Sequence, residues 1–175
     1  MAEPFHTMLV DHPDFVHEIG MITVEQCNIE YQLADLMGAI LRVHNDVAHA
    51  IYFTPRAGIA RVEVMLNLNN ALHPDPEIDA AKIKDIRKRI RAACERARTL
   101  IGRRNELIHA VWGTDPEGKE VHYAALPIKQ GAVKRANIVE LRDMVDRMRK
   151  LISQIRQLED DVVTAQEEAL RESET

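Results

Sequence analysis

Aromatic residues are scarce in this 175-residue chain: they make up 4% of it, and there is a single Trp. A β-sandwich or barrel draws heavily on aromatic and β-branched side chains, so the scarcity points to packed helices. Seven Gly and seven Pro are too few for a loop-rich scaffold. Two cysteines, Cys27 and Cys94, cannot make a disulfide framework, and no Cys/His pair has zinc-knuckle spacing. No stretch approaches the run of about 18 uncharged apolar residues that a membrane helix needs. The opening MAEPFHTMLVDHPDF has no Lys or Arg and no apolar run resembling a signal peptide. These absences make a reduced, cytoplasmic protein with no membrane partner the expectation. Basic excess is missing as well. With 28 Asp+Glu against 23 Lys+Arg the formal charge is −5, which for the chain as a whole argues against a nucleic-acid binder.

What is present is a 46% apolar fraction, enough for the core of one domain. Residues 1–20 are polar and carry two prolines, so they read as a flexible N-terminal arm. Thr23-Val-Glu-Gln26 is a capping box that opens a helix to about Val43, with Ile29, Leu33, Leu36, Ile40 and Val43 at spacings of three and four. Thr54-Pro55 is a second start signal, and RVEVMLNLNNAL behind it reads as helix. Asp75-Pro76 restarts a third helix. Thr114–Gly118 is a tight-turn sequence flanked by Val111-Trp112 and Val121–Ala124, which suggests a short β-hairpin. Asn137–Glu140 is another capping box, and the fourth helix behind it carries a seam of Ile138, Leu141, Val145, Met148, Ile152 and Ile155. Beyond Leu158 the chain turns acidic and reads as a solvated extension that frays. The expected fold is all-α: an antiparallel four-helix bundle with a short β-hairpin inserted between helices three and four. The expected organisation is the arm at 1–20, a helical domain at 21–158 and an acidic C-terminal helical extension at 159–175.

The third helix has the strongest pattern. Ile83, Ile86, Ile90, Ala93, Ala97, Leu100, Arg104, Leu107 and Val111 keep an unbroken three-four alternation. Arg104 alone among them is not apolar. A buried guanidinium needs a partner, an interface or a polar cleft, and Glu63 is a candidate partner. Arg104 begins the string Arg-Asn-Glu-Leu-Ile-His. Asn105 and His109 are four apart and share a helix face. Gly102 just upstream suggests a bend or the close approach of another backbone.

Arg104, Asn105 and His109, late in the third helix, resemble the Arg-x4-6-His motif of the HEPN superfamily, in which a polar residue often follows the Arg. The resemblance extends over roughly residues 22–158 as helix order and length. It implies a metal-independent endoribonuclease, dimeric, in a defence or toxin–antitoxin setting. Arg104 and His109 would be catalytic, Asn105 would orient them, and no cofactor or metal would be needed. RNA cleavage of this kind uses the 2′-hydroxyl as nucleophile. A His can move the proton and an Arg can neutralise the phosphate.

The average charge hides a strong asymmetry. Residues 1–50 sum to −7 and residues 159–175 to −6, whereas residues 82–104 hold ten Lys and Arg against Asp85 and Glu95, a balance of +8. Lys88, Arg91, Arg96, Arg98 and Arg103 are therefore candidate RNA or phosphate contacts. The plainer role for such charges is a solvated face matched to acidic neighbours. The histidines His6, His12, His17, His44 and His49 lack the spacing of a metal site. Trp112 reads as a core plug behind the hairpin or the rim of a cleft. The competing function is a non-catalytic helical protein-interaction or nucleotide-binding regulatory module, its protein partner held through the fourth-helix seam and the acidic tail.

Overall fold

The structure, a computed structural model, describes residues 9–71, 80–125 and 133–173. They are mostly helical. A 3-10 turn at Leu9–Asp11 leads into α1 (Pro13–Leu41), then come α2 (Asn45–Tyr52), α3 (Gly58–Ala71) and α4 (Ala80–Ile108). Three short strands follow, β1 (Ala110–Thr114), β2 (Val121–Ala125) and β3 (Lys134–Arg135), and then α5 (Ile138–Ser173).

Helix α1 begins ten residues before the Thr23 capping box. Pro13 suits the first helical position, where its missing N–H costs nothing. The His12 carbonyl accepts from the amides of Phe15 and Val16. Thr23 is an interior residue whose hydroxyl donates to the Ile19 carbonyl at 3.1 Å. Residues 13–20 are thus helical rather than a loose arm, and residues 1–8 lie outside the described residues. Helix α2 is unanticipated. His44 caps it, its Nδ1 accepting from the Asp46 amide at 3.3 Å. The Thr54-Pro55 signal falls beyond its end, where the Thr54 hydroxyl donates to the Ala50 carbonyl at 2.8 Å. The Asp75-Pro76 start lies outside the described residues.

The expected hairpin is present and has a third strand. β1 pairs antiparallel with β2, Trp112 opposite Tyr123, and β3 adds to β2 with Lys134 opposite Tyr123. Asp115 closes the turn, its Oδ1 accepting from the amides of Lys119 at 2.6 Å and Glu120 at 3.0 Å. Gly118 supplies the left-handed backbone there, at φ +68°. At the start of α5, Asn137 Oδ1 accepts from the Val139 amide at 2.9 Å, as an N-cap does.

The chain divides into two compact units, Met1–Gln26 with Leu100–Met148, and Cys27–Thr99 with Arg149–Thr175. In the first, Ile22, Leu100, Ile101, Leu107, Leu141 and Val145 are buried, as are Val121 and Ala124 of the small sheet. In the second, the seam of α1 contributes Ile29, Leu33, Leu36 and Met37, and α4 contributes Ile86, Ile90, Ala93 and Ala97. Here α5 runs on well past Leu158 instead of fraying. Val162, Ala165 and Ala169 are buried, Asp161 pairs with Arg89 at 2.6 Å, and Glu168 pairs with Lys82. The Gln166 amide donates to the Ala39 carbonyl at 3.0 Å. The acidic end therefore packs on its own unit.

Polar groups also enter the second unit's core. Glu30, nearly buried, accepts from Arg61 at 2.8 Å, and Arg61 lies over the Phe53 ring. His49 Nε2 meets Asp35 Oδ1 at 2.7 Å and ties α2 to α1. Burial pushes the Cys94 thiol up to about 12, which leaves it unreactive. Burial, followed by the Glu30 charge, also drives the Tyr52 phenol far above its ordinary range. Its hydroxyl has no hydrogen-bond partner among the described residues. Tyr52→Phe keeps the ring and removes that orphaned group, so it should hold stability or raise it by about 1 kcal/mol. A denaturant midpoint that fell by more than this would show that the hydroxyl has a partner.

Candidate functional site

The segment Arg103–His109 closes α4 and leads straight into β1, all within the first unit. Arg104 lies on the buried stripe of α4, between Leu100 and Leu107, which are 5% and 1% exposed, and is itself half-buried. Its Nη1 donates to Asn105 Oδ1 at 3.2 Å. Its Nε is a buried donor with no acceptor among the described residues. A buried N–H left unpaired is costly, and a guanidinium so placed is a ready receptor for an anion.

His109 follows the last residue of α4. Its amide still donates to the Asn105 carbonyl at 3.1 Å, so the final helical turn closes on it, while its imidazole is exposed. Asn105 thus touches both of its neighbours in the motif, Arg104 through its side chain and His109 through its carbonyl. No hydrogen bond joins Arg104 to His109 among the described residues. Glu63, the proposed partner of Arg104, pairs with Arg98 instead, at 3.2 Å. Gly102 admits no close approach either, since a Cβ there would meet nothing within 4 Å.

Beside this segment stands an aromatic stack that the sequence left open. Trp112 is half-buried, its ring 5.0 Å from that of Tyr123 at an interplanar angle of 26°. Its Nε1 donates to the Leu107 carbonyl at 2.8 Å, satisfying a group at the end of α4. Arg103 donates to the Tyr123 hydroxyl at 2.7 Å and pairs with Glu106. Arg103, expected to face phosphate, is thereby engaged within the chain. Its pairing with Glu106 three residues on was readable in the sequence; its bond to Tyr123 required the hairpin register.

The basic residues of α4 in the second unit separate into two kinds. Arg98 is answered by Glu63, Arg89 by Asp161 and Lys82 by Glu168. Hydrogen bonds hold the Arg89–Asp161 pair charged: the Arg89 guanidinium is raised, by the Asp161 bond first. The Asp161 carboxyl is lowered although burial works against it, because Gln157 and Arg89 donate to it. Other cations meet no carboxylate among the described residues. Arg91 donates to the neutral Asn70 side chain at 2.6 Å, and Arg87 donates to the Asn70 carbonyl at 3.2 Å. Arg96 bonds only its own helix, at the Ala92 carbonyl, and the Lys88 side chain has no partner among the described residues. Of the five candidate phosphate contacts, Lys88, Arg91 and Arg96 are exposed and pair with no carboxylate among the described residues, whereas Arg98 and Arg103 are paired with carboxylates.

Among the described residues no helix is long and apolar enough to cross a membrane. Comparison with protein-family models, with curated proteins and with solved structures yields no match to this chain.

Proposed function

We propose that this chain is a HEPN-like, metal-independent endoribonuclease that acts as a homodimer. The observation behind this is Arg104: a guanidinium on a buried helical stripe, held at one end by Asn105, with a buried Nε that finds no acceptor among the described residues. The exposed His109 lies one turn further on, at the same helix end. In the proposed reaction His109 takes the proton of the RNA 2′-hydroxyl as that oxygen bonds to phosphorus. Arg104 neutralises the non-bridging oxygens, the bond to the 5′-oxygen breaks, and an imidazolium returns a proton to the leaving oxygen. The expected four-helix bundle, made of the longer helices α1, α3, α4 and α5 with the hairpin between the last two, belongs to the same proposal.

The competing reading is a protein-interaction module that docks through the fourth-helix seam and the acidic tail. That tail buries Val162, Ala165 and Ala169 and pairs two of its carboxylates within its own unit, while Val163 and Leu170 stay exposed. The test is to incubate the purified chain with RNA in excess EDTA and to analyse the ends produced. Fragments with 2′,3′-cyclic phosphate and 5′-hydroxyl ends are expected. If RNA survives intact with EDTA and with added divalent metal, the proposal fails.

The pairing pattern along α4 adds a prediction about RNA affinity. Each phosphate contact on a single strand contributes about 0.7 to the slope of log K against log salt. Lys88→Gln and Arg91→Gln should each flatten the slope by about that amount. Arg98→Gln should leave it nearly unchanged, because Glu63 already neutralises Arg98. Equal effects of all three would show that the ion pair does not decide which cations meet RNA.

A further inference from the structure

In the second unit, two guanidiniums of α4 converge on one residue of α3. Arg91 Nη2 donates to Asn70 Oδ1 at 2.6 Å, and Arg87 Nη2 donates to the Asn70 carbonyl at 3.2 Å. Asn69, 2% exposed, fixes the helix beneath them, its Nδ2 donating to the Arg87 carbonyl at 3.2 Å. An amide oxygen holds a guanidinium as a carboxylate does, but carries no charge to cancel it. Each arginine spends one N–H of its fork on Asn70 and keeps the rest free among the described residues.

The charge around this pair is strongly one-sided. At about 100° per residue, Lys84, Arg87, Lys88, Arg91 and Arg98 fall on one side of α4, with Glu95 as the acid among them. Arg98 is answered by Glu63, the one acid of α3. Glu95 makes no ion pair among the described residues. Four unanswered cations therefore stand against a single carboxylate, in contrast to Arg89 and Lys82, which meet Asp161 and Glu168.

We propose that Arg87 and Arg91 form a clamp for a phosphate group, with Asn70 as the positioning residue that holds both forks side by side without neutralising them. Two planar forks so placed can meet the oxygens of one phosphate together, and Lys88 adds charge beside them. The clamp serves the RNA reading above if the phosphate belongs to a polynucleotide, and stands without it if the phosphate is that of a small molecule.

Calorimetric titration of the full chain in EDTA tests this with inorganic pyrophosphate and with single-stranded oligodeoxythymidylate. Lacking the 2′-hydroxyl, the oligomer reports binding whether or not the chain cleaves RNA. At least one probe should bind saturably. Tighter binding of the oligomer identifies a polynucleotide backbone, and tighter binding of pyrophosphate identifies a free phosphorylated ligand. Asn70→Asp, nearly the same shape with a charge added, should weaken the tighter probe about tenfold or more, as the loss of a charge-assisted contact does. Its unfolding midpoint should stay level or rise, which a merely structural Asn70 would not give. Arg87→Gln and Arg91→Gln should each weaken binding by a similar factor. The clamp is overturned if neither probe binds, if Asn70→Asp leaves affinity unaltered, or if both glutamine variants do.

Discussion

His109→Ala is expected to lower RNA cleavage by about 10²–10⁴-fold, the usual worth of a positioned proton-transfer group. The imidazole is exposed and no side-chain bond holds it among the described residues, so the substitution should leave the unfolding midpoint within about 0.5 kcal/mol of the parent. Arg104→Ala should cost a similar factor, and Arg104→Lys should recover little of it. An ammonium lacks the planar fork that meets two phosphate oxygens at once. The two changes should not multiply, because groups that act together in one step are lost together. Asn105→Ala should weaken the reaction less than either, since it removes only the 3.2 Å bond that steadies Arg104. Rates of fluorescent-RNA cleavage in EDTA, measured beside circular dichroism, check all four. If either alanine variant keeps more than about a third of the parent rate, the roles assigned to Arg104 and His109 are wrong.

Removing residues 159–175 is expected to destabilise the chain by about 3 kcal/mol or more. The loss comprises the burial of Val162, Ala165 and Ala169, which at about 0.8 kcal/mol per buried methylene supplies most of that figure. The half-exposed Lys82–Glu168 pair adds little, and Arg89–Asp161 somewhat more. The Asp161 carboxyl is held below its ordinary range. Its contribution is therefore complete above the ordinary aspartate value and disappears as pH falls through the lowered one. The gap between full-length and shortened chains should accordingly narrow in acid. Urea denaturation at neutral and acid pH measures both effects. A shortened chain with an unchanged midpoint would mean that the end of α5 contributes nothing to folding.

The acidic end shows where composition misled. Seven acids in residues 159–175 suggested a solvated extension, yet Ile155, Leu158, Val162, Ala165 and Ala169 carry the three-four spacing of the seam straight through them. All five are buried. The periodicity was legible, and charge was given more weight than it warranted. The apolar stripe of helix α4 and its one discordant residue, Arg104, stand out in the sequence alone, although the last member of that stripe, Val111, lies in β1 beyond the helix end. Helix α2 was hidden because it is eight residues long and capped by His44, which is outside the usual set of capping residues. Strand β3 is two residues long, below what alternation can reveal. Within the site, the adjacency of Arg104 and Asn105 was readable. The partners that divide the arginines of α4 were not: Glu63, Asp161, Asn70 and Tyr123 come from distant parts of the chain and are fixed only by tertiary packing.

Trp112 gives the chain a built-in optical probe. It is the one Trp of 175 residues, and its indole is fastened to the Leu107 carbonyl and laid on Tyr123. Its emission therefore reports on a single locality, the junction between the last turn of α4 and the sheet. Fraying of that turn would release the indole N–H to water and shift the emission to the red before the far-ultraviolet helical signal changed. Binding at Arg104 and His109 would be seen in the same channel, with no label attached.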